Sequence, residues 1–309
     1  MSAARGTETA AVIPPAFEAY ADESLAQAPA GGPGKNGLLE ATFARTGEHP
    51  TRLVHDRVKV PYHLTGTLDT DPAPGLTTLV TQEPTGGVAQ GDRHRLVAEA
   101  RAGARAHVTT QSATKVHSMR ANYAHLEATL RAEAGSHLEY VPGATIVNED
   151  ARCLQTVSIE LDREATVVVA DVLVPDGLSD HEPFAFDHYH ARVEAECEGR
   201  LVCADAVDLR PAERDPQDPA SVGEYGVVGS LYAFVPWLDD LPDLVEAIDD
   251  RLAESDGTHA GVSTLPCEAG GIVRVLGRRE ADVTAAVRAA WDEVRKHTLG
   301  VGIPADRRY

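Results

Sequence analysis

Between Leu38 and Leu209 glycine, proline and aspartate interrupt every apolar run before it reaches the length of a helix. The runs that remain alternate: 52–60, 77–81, 95–100, 104–110, 126–132, 137–141, 156–161, 166–174, 190–197 and 200–209. Short alternating segments at regular spacing predict an all-β body, built as a sandwich, a barrel or a coil. Weak self-similarity is also present, too loose by itself to choose among these. Ala102-Gly103-Ala104-Arg105-Ala106-His107-Val108 resembles Ala134-Gly135-Ser136-His137-Leu138-Glu139-Tyr140, and a third such turn falls at Arg163-Glu164-Ala165-Thr166-Val167. Recurrence at roughly 30 residues is the trace that stacked β rungs leave in a sequence.

Past an acidic, proline-containing loop at 211–219 the period changes. Trp237, Leu241, Leu244, Val245, Ile248 and Leu252 share a helical face, and so do Val283, Ala286, Val287, Ala290, Trp291 and Val294. Ser255-Asp256-Gly257 closes the first helix, and Gly300 follows the second as a left-handed stop. Two strands, 261–265 and 272–276, are expected between them around Gly270-Gly271. Residues 1–36 are rich in Ala, Pro, Gly and Thr and are expected to be a disordered leader, leaving 37–309 as one domain.

The 28 basic against 48 acidic residues give a net charge of −20, and lysine occurs only at 35, 59, 115 and 296. Such a surface repels phosphate backbones and anionic lipid, so nucleic acid and membranes are not expected partners. It suits a salt-rich cytoplasm, where carboxylates stay hydrated while screening suppresses their repulsion, and a halophilic source is inferred. Cys153, Cys197, Cys203 and Cys267 contain no CxxC pair and read as small core residues. No apolar stretch spans a bilayer and no cleavable signal opens the chain, so a cytoplasmic location is expected.

Gly32, Gly34 and Gly37 spell GxGxxG, but without the preceding strand and following helix that present amides to a pyrophosphate. Walker A, HExxH and GxSxG patterns are missing, so no catalytic residue and no enzyme activity are assigned. The densest metal-like group is His181-Glu182 followed by Asp187-His188-Tyr189-His190. His188 and His190, at i and i+2, would share one face of a strand and are weak metal candidates; the alternative is a polar edge strand.

Two segments carry more. Pro84-Thr85-Gly86-Gly87-Val88-Ala89-Gln90-Gly91-Asp92-Arg93 is a glycine-dense turn ending in Asp-Arg, which on its own could be a local ion pair. Further on comes Thr109-Thr110-Gln111-Ser112-Ala113-Thr114-Lys115-Val116. In this order they resemble the urease accessory proteins of the UreD (UreH) family, with a PxGGxxxGD turn, a TTxxATK strand and a segment like 138–146. The resemblance runs from about 37 to 309 and includes the block Arg274-Val275-Leu276-Gly277 and the terminal 304–309. The chain departs from it at Ala170-Asp171, which lacks the family's tryptophan, and at Val174-Pro175-Asp176-Gly177.

What the resemblance implies is a right-handed β-helical fold with two helices near the C-terminus and a non-catalytic chaperone for nickel incorporation into apo-urease. It implies action with a UreF-type protein and a UreG-type GTPase, a homodimer within that complex, and nickel in transit with no tightly bound cofactor. Asp92, Asp171 and Asp205 would then be stations on a nickel path, since carboxylates hold such an ion without trapping it. The competing reading makes them turn caps or partners of arginines such as Arg93. Gly86, Gly87, Gly91, Arg93, Thr109, Thr110, Thr114 and Lys115 are the motif residues, with strand packing or partner contact as their expected roles. A different class, a carboxylate-dependent hydrolase or lyase on a β-solenoid, stays open.

The charge yields a first prediction. Dialysis from concentrated to dilute salt is expected to lower the melting temperature, because only screening relieves the repulsion among surface carboxylates. An unchanged melting curve would mean that the acidity serves another purpose.

Overall fold

The computed structural model describes residues 13–24, 34–175 and 182–305. Within these the chain is mainly β, a solenoid of about four turns with three helices. Strands β1 (Asn36–Ala44), β5 (Arg93–Ala100), β8 (Ala124–Ala132), β11 (Arg152–Leu161) and β13 (His188–Cys197) stack in parallel as one face. Strands β4 (Thr77–Gln82), β6 (Arg105–Thr110), β9 (His137–Tyr140) and β12 (Thr166–Pro175) stack in parallel as the other. A narrow third side consists of Val88, β7 (Thr114–Val116), β10 (Thr145–Val147) and the end of β12.

The recurrence read from the sequence is the register of this coil. Val97 lies beside Thr129 on the next turn, and Thr129 lies beside Ser158 on the turn after that. The self-similar segments are its stacked corners. Gly103 (φ 69°) and Gly135 (φ 66°) turn successive rungs from one face to the other, and the Gly103 N–H donates to the Ala134 carbonyl at 3.0 Å. Ala104 and Ala165 fill the inner side of two of these corners and are fully buried. The core between the two faces is rich in alanine, with Ala41, Ala98, Ala106, Ala128, Ala132 and Ala195 among its members.

Antiparallel strands close both ends: β2 (Arg52–Lys59) and β3 (His63–Leu68) at one, β14 (Arg200–Leu209) and β15 (Val227–Phe234) with β16 (Thr258–Thr264) and β17 (Gly270–Gly277) at the other. Helices α2 (Leu241–Ala253) and α3 (Glu280–Leu299) cover the outside of β12, β15 and β17. Gly229 and Gly277 let α3 approach, because a Cβ on either would fall within 2.6 Å of Val283. Gly300 (φ 70°) ends α3 as expected, whereas Trp237 precedes α2 and donates its indole N–H to the Thr166 hydroxyl at 2.9 Å. No helix among the described residues is long and apolar enough to cross a membrane.

The expected leader needs correction over residues 13–24, which include helix α1 (Pro15–Ala21); residues 1–12 and 25–33, with Gly32 of the GxGxxG pattern, lie outside the described residues. Phe17 is fully buried against Tyr123, just before β8, and Leu154 on the outer face of β11, and this anchor holds a short helix that propensity alone would not sustain. Cys153 and Cys203 are buried as expected, but Cys267 is exposed on the turn between β16 and β17.

One ion network ties α3 to the coil. Arg295, Glu139 and Asp71 have fully buried side chains. The Arg295 guanidinium donates to Glu139 Oε1 and Oε2 at 2.8 and 2.7 Å and to Asp71 Oδ1 and Oδ2 at 3.0 and 2.9 Å. Trp291 donates to Glu139 as well. Burial would raise the Glu139 carboxyl, but the contacts from His137 and Arg295 hold it well below the ordinary carboxylate value. Removing one member of a buried ion set leaves an uncompensated charge, so Arg295→Met is expected to cost about 3–5 kcal/mol in urea unfolding. The triple variant Arg295→Met, Glu139→Gln, Asp71→Asn is expected to recover most of that loss. Because the folded Glu139 value is depressed, its contribution is present above its ordinary 4.5 and lost as pH falls below it towards the folded value. Glu139→Gln should therefore show a flatter stability profile in that acid window.

Candidate functional site

The coil interior is not uniformly apolar. It contains a cavity of about 70 Å³ whose polar lining includes Glu83, Tyr140, Thr145, Gln155, Asp171 and Arg274. That volume admits about five to seven water-sized sites, or a partly hydrated ion. A surface cleft formed by Gly86, Gly87 and residues 110–115 shares Thr81, Glu83, Thr110 and Thr114 with the cavity lining.

The cleft is made where the sequence motifs meet. Gly87 (φ 129°) allows the turn to lie against β7: a Cβ there would come within 2.4 Å of the Lys115 carbonyl. The Val88 N–H donates to that carbonyl at 2.8 Å. Thr110 Oγ1 accepts from the Gly143 N–H at 2.8 Å, and the Thr109 hydroxyl donates to the Val141 carbonyl at 2.7 Å. Thr109 and Thr110 thus bind the third motif segment to the second.

The three aspartates do different things. Asp92 is fully buried: Oδ1 accepts from the Gly34 and Lys35 N–H groups at 2.9 and 2.8 Å, and Oδ2 accepts from the Ala89 N–H at 2.9 Å. Its cation is Lys35, 3.4 Å away, and not the adjacent Arg93. Arg93 turns instead to the carbonyls of Asp92 and Tyr123 and to Asn122 Oδ1, with its guanidinium 3.9 Å from the Tyr123 ring centre. The local ion pair suggested by the sequence is therefore replaced by a backbone clamp at Asp92 and a carbonyl clamp at Arg93. Gly91 (φ 77°) makes the turn between Ala89 and Asp92.

Asp171 lines the cavity. It sits on β12 in lateral register with Ser230 on β15 and Arg274 on β17, so one row of three adjacent strands presents a carboxylate, a hydroxyl and a guanidinium. Asp171 Oδ2 is 3.0 Å from the Tyr189 hydroxyl, which also reaches Gln155 Oε1 at 2.5 Å. Burial pushes the Asp171 carboxyl up from its ordinary value, opposed by the Tyr189 hydrogen bond and by Arg274. Asp205 on β14 also meets Arg274, in an ion pair, and accepts from the Tyr232 hydroxyl at 2.5 Å. The structure thus brings Asp171 and Asp205 to one arginine and leaves Asp92 elsewhere.

His188 and His190 are on the outer face of β13, away from the cavity, beside Asp208 of β14. His181 of the same sequence cluster lies outside the described residues.

The family model described as UreD urease accessory protein matches residues 35–308. The chain belongs to the UreD family. It is 69% identical over 297 residues to a UreD urease accessory protein of Natronomonas pharaonis, covering 96% of this chain and 99% of that one. It is 56% identical to the Haloquadratum walsbyi protein, over 96% of this chain and 97% of that one. Identity to the Photorhabdus laumondii protein is 31%, over 94% of this chain and 91% of that one. Natronomonas and Haloquadratum are halophilic archaea, in agreement with the charge-based inference.

Several residues at this site escaped the reading of the UreD motifs. Tyr189, Gln155, Tyr232 and Glu83 carry no local signature, since each matters only through a neighbour on another rung. Arg274 had a signal in the block 274–277 but no role until Asp171, Ser230 and Asp205 came beside it. The two buried acids are separable by stability. Asp92→Asn turns one acceptor into a donor facing backbone N–H groups and is expected to cost about 2–3 kcal/mol, within the range for hydrogen bonds to charged groups. Asp171→Asn removes a charge that burial disfavours and is expected to stay within about 1 kcal/mol of the parent. Urea unfolding of both variants in concentrated salt measures the contrast.

Proposed function

We propose that this protein is an accessory factor in urease maturation and that nickel passes through its interior on the way to apo-urease. The observation that supports this most is the small interior cavity, which carries Asp171 in its lining and shares lining residues with a cleft built from the motif segments. A divalent ion leaving water needs oxygen ligands to replace part of its shell, and Glu83, Thr110, Thr145, Gln155, Tyr140 and Asp171 offer them along the lining. Arg274 keeps the far end from becoming a trap: its positive charge opposes a second cation beside Asp171 and already neutralises Asp205. Transfer needs binding loose enough to release.

In this reading the protein works as a chaperone in the cytoplasm with a UreF-type partner and a UreG-type GTPase, paired within that complex as a homodimer, and holds nickel only in transit. Asp92 serves as the clamp that fixes the Gly86–Gly91 turn, and Asp171 is the station. The hydrolase or lyase alternative draws less support. Dividing acid and base roles needs two carboxylates about an open groove, whereas Asp205 is tied to Arg274 and the cavity is too small for a sugar.

Activation of apo-urease in a reconstituted system with the UreF-type and UreG-type partners tests this reading. Asp171→Asn is expected to abolish most nickel-dependent activation while melting temperature and retention of the UreF-type partner stay at parental values. Asp92→Asn is expected to lose activation only together with stability. Full activation by an Asp171→Asn, Glu83→Gln double variant would eliminate the interior path.

A further inference from the structure

We propose that His188, His190 and Asp208 form a binding site for a first-row divalent transition-metal ion on the outer face of the coil, beneath helix α1. This site is independent of the interior cavity, and its case does not rest on the nickel path. The strand supplies the geometry: His188 and His190 are two apart on β13 and project to the same side, and the register of β14 sets Asp208 directly across from His190.

The donor atoms are already at a metal's spacing. His188 Nε2 is 2.8 Å from Asp208 Oδ1, His190 Nδ1 is 3.7 Å from Asp208 Oδ2, and one atom from each residue lies within 4.8 Å of the others. Tetrahedral ligands at roughly 2.0–2.1 Å from a shared zinc ion stand about 3.3–3.4 Å apart, between these two separations. Two imidazoles and one carboxylate select zinc, cobalt or nickel over magnesium or calcium.

The imidazoles are also short of partners. His188 is fully buried and His190 is 8% exposed. Neither ring nitrogen of His190, nor Nδ1 of His188, has a hydrogen-bond partner among the described residues. A buried polar atom left without a partner costs free energy, and a metal would relieve that cost at one nitrogen of His190 while holding His188 to Asp208. Helix α1 encloses the group: the Phe17 ring centre is 4.3 Å from that of His188 and 6.2 Å from that of His190, and Tyr20 is 5.9 Å from His188. The helix is pinned at its end by Glu23, which accepts from Arg152 at 2.7 Å and from the Asn122 N–H at 2.8 Å.

Arg210 now supplies the positive charge. Its Nη2 is 2.9 Å from Asp208 Oδ2, and its Nε is 3.2 Å from Asp208 Oδ1 and 3.3 Å from His188 Nε2. One third of the Arg210 side chain is exposed, and Glu213 lies 3.4 Å from its Nη1. Metal entry is then an exchange of cations: Arg210 turns out to Glu213 as the ion takes its place on Asp208. This gives a signature that a structural histidine cluster lacks, because removing Arg210 should strengthen metal binding.

The test is titration of the full chain, stripped by chelator and held in concentrated salt, with Zn²⁺ by calorimetry and with Co²⁺ by its visible absorption. One tight Zn²⁺ per chain is expected. His190→Ala and Asp208→Asn should each weaken it at least about tenfold, and Arg210→Gln should tighten it. Asp171→Asn should leave it unchanged, which separates this site from the interior. Circular dichroism of Asp208→Asn and Arg210→Gln, both at partly exposed positions, shows that the fold persists should His188→Ala fail to fold. No binding at millimolar Zn²⁺, equal binding by His190→Ala and Asp208→Asn, or an Arg210→Gln variant no tighter than the parent would each overturn the proposal.

Discussion

The parallel stacking of successive turns is the constraint on which everything else rests. Each rung of the coil finds its hydrogen-bond partners one full turn away along the chain, so the side-chain alternation of one rung is copied onto the next. A slip of one residue in any rung would expose its inward row. Glycine corners at 103 and 135 prevent that slip, since each needs a left-handed backbone at a fixed place. Antiparallel strands at both ends then stop the repetition, and helices cover part of the outer faces.

From this register follows the separation of chemistries. Odd positions of β13 and β14 such as Tyr189 and Asp205 face inward, towards Asp171 and Arg274; even positions such as His188, His190 and Asp208 face outward, towards α1. One hairpin therefore serves two unrelated polar groups on opposite sides of a single sheet. The Arg295 network plays the corresponding part for α3, converting helix docking from a purely apolar contact into one fixed in rotation by two carboxylates.

Much of this was legible because the signals were local and periodic. The alternating runs became strands, the recurrence of the Ala-Gly segments at 102 and 134 became the coil register, and the α3 face is buried as read, while of the α2 face Leu241, Leu244, Ile248 and Leu252 are buried and Trp237, before the helix, is exposed. What stayed hidden depended on distant partners or broken periods. β15 is buried at every position, between the interior core and the α2–α3 layer, so it shows no alternation. Helix α1 has one buried residue, Phe17, too few to show a helical period. Lys35 reaches Asp92 from a different segment of the chain, on the far side of four strands in sequence. The Cys197–Arg200 turn was visible, but counting back from it places Asp208 opposite Tyr189 on the inner face. A bulge after Ala195 inserts one residue and moves Asp208 across from His190, which creates the outer cluster.

The charge balance explains why the interior needed an arginine at all. The surplus of acid behind the net charge of −20 is tolerable on the surface, where mobile cations gather within a Debye length of a few ångströms in concentrated salt. Those ions cannot enter a cavity of about 70 Å³ without becoming its contents. Asp171 must therefore be balanced by groups fixed in the fold, and the lateral row Asp171, Ser230, Arg274 does this with one guanidinium shared with Asp205. A coil selected only for stability would carry an apolar side chain at 171, like those of Ala170 and Val172 on the opposite face of the strand. Retaining a buried carboxylate costs folding free energy at every salt concentration, which points to a use for it that stability does not supply.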